Sequence, residues 1–225
     1  MQTTKWGPSG WNLFHNVAIN YVPNAENAKN YKTFYENFKY ILPCKYCRES
    51  YEKFFNQTRI EQYLHNSERL YYWTYLIHNN VNDKLRKQGF KQESNPSYTS
   101  IKKYYEKKCY NDCSYNDYVT FIGSIVFNYG SIGSMQDCPI DCIKNAYKYF
   151  FDFLHVYMPM DHPAVLSVKD LSGNCTLVVW YYINILQKNK SKKEQKKYFD
   201  EYIEYFTNMR ASCSDATSCR VKLTN

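Results

Sequence analysis

A chain of 225 residues with 44% apolar and 19% aromatic content can bury a proper core, which excludes a disordered polymer. Gly and Pro number only 7 each, too few turn-formers for a many-stranded sandwich, so an all-α fold is expected. The net charge of +8 raises a nucleic-acid reading. The densest basic run, Gln187 to Lys197, holds a Glu and opens a helix, so a solvated face is expected there and no nucleic-acid partner.

Apolar residues recur at helical spacing along the chain. Ser9 is positioned to cap a first helix whose Trp11, Phe14, His15, Ala18 and Val22 share a side. A second helix, from about Asn27 to Leu42, carries Tyr31, Phe34, Phe38 and Ile41 on one stripe. Pro43 suits the first position of a third helix, running to about Phe55. A fourth, from Ser67 to about Gln88, sets Leu70, Trp73, Ile77, Val81 and Leu85 at three- and four-residue steps, and Gly89 ends it. Four such helices with short connections make a bundle, assigned to residues 1–92.

The polar stretch Lys91 to Ser100, with Pro96, marks a linker to a second, mainly helical domain at 93–225. Its helices are expected at 101–109, 117–129, 139–157, 176–188 and 191–208, the last opened by a Ser191-x-x-Glu194 capping box. No convincing internal repeat stands out, although a degenerate second copy of the first bundle stays open. The longest apolar run, Leu177 to Leu186, is about half of a bilayer span. With no apolar N-terminal leader, a soluble protein without membrane attachment is expected. The sequons at Asn56, Asn174 and Asn189 are read as chance in an Asn-rich chain.

Nine cysteines without an export signal suggest metal binding or intracellular redox work. Cys44 and Cys47 stand three apart at a helix start, where unpaired amides and the helix dipole favour a thiolate. Such a pair is compatible with a dithiol switch, an inert disulfide or half of a zinc site. Zinc needs about two more ligands, and His65 and His78 lack a matching spacing, so no metal is assigned. Trp11 and His15 lie four apart on the first helix, as do His78 and Asn82 on the fourth, with Asn79 beside them. Buried His and Asn need partners; a flat heteroatom-rich cofactor would serve, with Trp11 and Tyr75 as stacking surface. Backbone carbonyls would serve as well.

Taken together, "WGPSGWNLFH", "PCKYC" and "WTYLIHNNVNDKL" resemble, in order and spacing, the Erv/ALR family of FAD-linked sulfhydryl oxidases, and its viral, mimivirus-type branch most of all. The resemblance spans about Lys5 to Lys87. It implies a four-helix bundle holding FAD beside a redox-active disulfide, with Cys47 facing the flavin and Cys44 exchanging with incoming thiols. Trp11, His15, His78, Asn79, Val81, Asn82 and Lys84 fall on the family's FAD-contacting positions, as do Gly7, Tyr75 and Lys87. Electrons would pass from protein dithiols, delivered by a thioredoxin-like partner, through FAD to oxygen, giving hydrogen peroxide. A homodimer through the bundle helices is implied, as is residence in infected-cell cytoplasm (the virus factory) or virions. The competing class is a non-catalytic helical scaffold, or a zinc protein, binding partners by a basic, aromatic surface.

Two features depart from the family pattern. The cysteine that tethers the chain after the fourth helix in many cellular members is missing after Phe90, and no second C-x-x-C shuttle exists. Cys213 and Cys219 are candidates for a shuttle or a terminal structural disulfide. Cys109, Cys113, Cys138 and Cys142 are open to a stapled hairpin, a four-thiolate zinc site or free buried thiols, and Cys175 stays unassigned.

Overall fold

The computed structural model describes residues 1–90, 93–109, 118–129, 140–157, 182–183, 187 and 189–209. Eight α-helices occur there: α1 Thr3–Ile19, α2 Ala25–Ile41, α3 Lys45–Gln57, α4 Ser67–Lys87, α5 Tyr98–Cys109, α6 Val119–Asn128, α7 Ile140–Tyr157 and α8 Lys192–Asn208. A short 3-10 turn, Ile60–Tyr63, separates α3 from α4. No strand occurs among the described residues, so the all-α expectation stands.

Local chemistry sets most helix ends. Asn24 Oδ1 accepts from Asn27 N–H at 2.7 Å and Asn66 Oδ1 from Arg69 N–H at 2.8 Å, closing the N-termini of α2 and α4. Gly89, at φ +76°, ends α4 with paired bonds from Phe90 N–H to Leu85 O and Gly89 N–H to Arg86 O, both 2.9 Å. That left-handed turn is open to glycine at little steric cost. The Ser191–Glu194 capping box opens α8 as expected.

Two expected boundaries are corrected. The first helix begins at Thr3, running through Pro8, and Ser9 is no cap. Tertiary contacts override the proline: Gln2 N–H donates to Met209 O at 2.8 Å, and Trp6 packs on Phe121 with ring centroids 5.7 Å apart. Val22, expected on the buried side, lies past the helix end and is 64% exposed. Pro43 precedes α3 rather than opening it. Leu42, pushed to extended backbone by the proline (ψ 132°), passes the chain to Cys44, which is the N-cap itself.

α1 packs on α4, α2 on α3, and α3 on α4, forming the four-helix bundle, with α5 laid against α1 and α4. α6 covers α1 and α7 covers α2. Phe34 is fully buried between the two halves, stacked on Phe153 at 4.1 Å and Phe150 at 5.6 Å between centroids. Of the expected helix at 176–188, only Tyr182, Ile183 and Gln187 are described. Cys113, Cys138, Cys175, Cys213 and Cys219 also lie outside the described residues. Among the described residues no helix is long and apolar enough to cross a membrane.

Candidate active site

The N-cap position of Cys44 (φ −135°, ψ 123°) places Cys47 in the first turn of α3, its N–H donating to Cys44 O at 3.0 Å. Both side chains face a cavity of about 110 Å³ bounded by α1, α3, α4 and Phe121 of α6. Gly7, Trp11, Val81 and Lys84, each expected at the site, share its wall. Lys84 Nζ donates to Ser50 Oγ and to Tyr46 O (3.4 Å), so α3 fixes the ammonium of α4 at the wall of the cavity that the cysteines also line. A Cβ built on Gly7 meets nothing within 4 Å, which leaves the rim at that point open.

The histidines form a second cluster, joined to the first through Trp11. The Trp11 indole stacks on His78 with centroids 3.8 Å apart and planes 10° from parallel. His15 is fully buried. Thr74 donates its hydroxyl proton to Tyr71 O (2.6 Å) and therefore accepts from His15 Nδ1–H at 2.8 Å. His15 Nε2 is then a lone pair and accepts from His78 Nδ1–H at 3.0 Å. Burial first, and the neighbouring His78 charge second, hold the His15 pKa well below the usual 6.5. The imidazole thus stays neutral at physiological pH, and in a neutral His78 the relay makes Nε2 an acceptor.

Of the remaining expected residues, Asn82 is buried on α4, Asn79 is half-buried and Lys87 exposed; none of the three borders the cavity. Tyr75 stacks on Tyr72 at 5.9 Å and donates to Pro96 O at 3.0 Å, away from Trp11. The sequence reading missed Trp6, Gly10 and Phe121. Thr3, Gly7, Gly10 and Phe14 line the cavity at helical steps, so Trp6 and Gly10 were visible as neighbours of that stripe. Phe121 arrives from a distant helix and had no local signal.

Burial runs against the expected division of labour within the pair: Cys44 is 2% exposed, whereas Cys47 is half-buried. Among the described residues no group of three or more His, Cys, Asp or Glu could hold a metal ion.

The fold and site are those of an all-helical bundle with a cysteine pair at a helix start and an aromatic cavity against it. The Erv1/Alr family profile matches residues 8–106. The chain is 38% identical over 85 residues to a probable FAD-linked sulfhydryl oxidase of Acanthamoeba polyphaga mimivirus, covering 36% of this chain and 59% of that one. It is 34% identical over 125 residues to the FAD-linked sulfhydryl oxidase of an African swine fever virus isolate, covering 53% of this chain and 94% of the relative. The mitochondrial FAD-linked sulfhydryl oxidase of Saccharomyces cerevisiae is 35% identical over 86 residues, 37% of this chain and 44% of that one. No solved structure matches. The chain belongs to the Erv1/Alr family.

Proposed function

We propose that this chain is an FAD-dependent thiol oxidase that forms disulfides in protein dithiols. The observation that carries the reading is one cavity wall shared by Cys44, Cys47, Trp11 and Lys84, in a chain matched by oxidases of that name. The residues suit FAD. The cavity is lined mainly by aromatic and apolar side chains, and Trp6 on its wall has a buried indole N–H with no partner among the described residues. A flat ligand with acceptor atoms would satisfy both features. Trp11, Val81 and Lys84 on its wall would hold it, with His78 stacked behind Trp11.

The chain's own part is thiol exchange. A substrate thiolate attacks Cys44 Sγ of the Cys44–Cys47 disulfide, forming a mixed disulfide while Cys47 leaves as thiolate. A second substrate thiolate attacks the mixed disulfide and releases Cys44, so the substrate dithiol is oxidised and the enzyme pair is reduced by two electrons. FAD, when bound, would supply the two-electron acceptor that returns Cys44 and Cys47 to the disulfide, with oxygen as the final acceptor. Lys84 places positive charge on the cavity wall that the developing thiolate shares, and the apolar walls exclude water. The more buried Cys44 becomes the accessible partner only if the rim around Gly7 and Cys47 admits the substrate.

A thioredoxin-like dithiol protein is the substrate this reading favours, and its viral relatives support residence in an infected cell or virion. Two measurements test it. Protein refolded with FAD should be yellow and consume oxygen with dithiothreitol. Consumption should rise further when a dithiol protein replaces the small thiol. A protein that stays colourless and inert after reconstitution would overturn the proposal.

A further inference from the structure

The described helices of the second half cover α1 and α2 of the bundle, and the sequence of that half repeats the first. Val17-Ala18-Ile19-Asn20-Tyr21 of α1 recurs as Ile125-Val126-Phe127-Asn128-Tyr129 in and after α6. Tyr31-Lys32-Thr33-Phe34-Tyr35-Glu36 of α2, with Pro43 beyond, recurs as Tyr147-Lys148-Tyr149-Phe150-Phe151-Asp152 of α7, with Pro159 at the same interval. Leu70-Tyr71-Tyr72-Trp73-Thr74-Tyr75-Leu76 recurs as Leu177-Val178-Val179-Trp180-Tyr181-Tyr182-Ile183. The three matches fall in the same order.

Matched positions make matched contacts. Tyr21 meets Tyr31 with centroids 4.7 Å apart, and Tyr129 meets Tyr147 at 5.0 Å. Asn20 Nδ2 donates to Asn16 O at 2.9 Å, one turn back; Asn128 Nδ2 donates to Ser124 O at 2.7 Å in the same way. α5 lies against α1 as α8 lies against α6.

The halves also pair as two copies about a two-fold axis would, with equivalent residues meeting on the axis. Phe34 stacks on its counterpart Phe150 with planes 11° from parallel. Tyr149, the counterpart of Thr33, reaches α2 one turn from it and donates its hydroxyl to Asn30 O at 3.1 Å. On either side the register runs antiparallel, with Tyr31 against Phe153 and Phe38 against Phe150.

The second copy lacks the chemistry. Met160-Asp161-His162-Pro163 stands in register with Cys44-Lys45-Tyr46-Cys47, and Ile185 with His78. Gly123 stands in register with His15. Where His15 meets Tyr105 of α5 at 4.5 Å, Phe206 of α8 fills the corresponding space. A Cβ on Gly123 would come within 2.7 Å of Phe206 Cζ, so no imidazole fits there.

We infer that the sequence from about Tyr118 to Met209 is a catalytically blank second copy of the bundle sequence, and that its described helices α6 and α7 pack on α1 and α2 so that one chain occupies both sides of the pairing face. The α1/α2 surface is thereby closed to a second chain, and the functional unit is a monomer with one redox centre. This inference goes beyond the proposed activity and does not depend on it.

Sedimentation equilibrium of the full chain tests it, because mass is read whether or not flavin is bound. A single species of 27.0 kDa at every loading concentration is expected; concentration-dependent doubling would overturn the inference. The on-axis pair supplies a second measurement. Thr33→Cys/Tyr149→Cys, both partly buried positions, is treated with a short bifunctional maleimide and mapped by mass spectrometry. A link between residues 33 and 149 within one chain is expected. The same link found between two chains, absent from wild type, would refute it.

Discussion

The two halves of this molecule share a helical plan and differ in what their interiors hold. Around α1 and α4 the first half buries His15, Thr74, Asn16 and Asn82 and leaves a cavity beside two cysteines. Around α6 and α7 the second buries Phe121, Ile122, Ile125, Phe150 and Phe151, each fully, and a phenylalanine fills the space that an imidazole occupies in the first. Polar burial costs stability unless it is satisfied; the second half also buries Ser124 and Asn128, but both spend their donors on carbonyls of their own helix rather than facing a cavity. That half's remaining task is to cover the other.

The sharpest way to break that comparison is at the seam. Phe34 and Phe150 are both fully buried and stack on one another. Phe34→Ala and Phe150→Ala should each cost about 3–5 kcal/mol in urea denaturation. A seam variant that melted at the wild-type midpoint would show that the two halves do not support each other. Next come the glycines. Gly123→Ala forces a methyl group against the Phe206 ring and should destabilise by about 1–3 kcal/mol. Gly7→Ala meets open space and should leave the melt unchanged or raise it slightly, while narrowing the cavity and weakening FAD retention.

Subtler tests address the buried histidine. Because the folded His15 pKa is depressed, the unfolded chain binds a proton that the folded chain refuses as pH falls below about 6.5. Its contribution to stability is complete above that pH and is lost on acidification. The urea midpoint should therefore fall between pH 8 and pH 5.5, and His15→Gln should flatten that slope. Thr74→Val keeps the shape but removes the acceptor for His15 Nδ1–H, and should cost about 1–2 kcal/mol. It should also lower FAD affinity with little change in the rate of the loaded enzyme.

How much of this was legible follows from what leaves a periodic trace. Helices show as apolar stripes, and Tyr31, Phe34, Phe38 and Ile41 are all buried as their spacing predicts. Cys44, Cys47, Trp11, Val81 and Lys84 were identified through a three-part motif and converge on one cavity. Boundaries fixed by tertiary contact were not legible: α1 starts early because Met209 and Phe121 hold it, and Cys44 caps α3 because Pro43 extends the residue before it. Phe121 was invisible for the same reason. The second copy was nearly so. Packing preserves ring size and helix register while tolerating almost any change at exposed positions, so Tyr-Lys-x-Phe survives and the surrounding identity does not.

The most direct test is an anaerobic titration of FAD-loaded protein with dithiothreitol, followed by the cofactor's visible absorption. Wild type should bleach at two electrons per flavin, while Cys47→Ser should keep its colour over the same time, with a rate at least about 100-fold lower. A Cys47→Ser protein that bleached as fast as wild type would contradict the account.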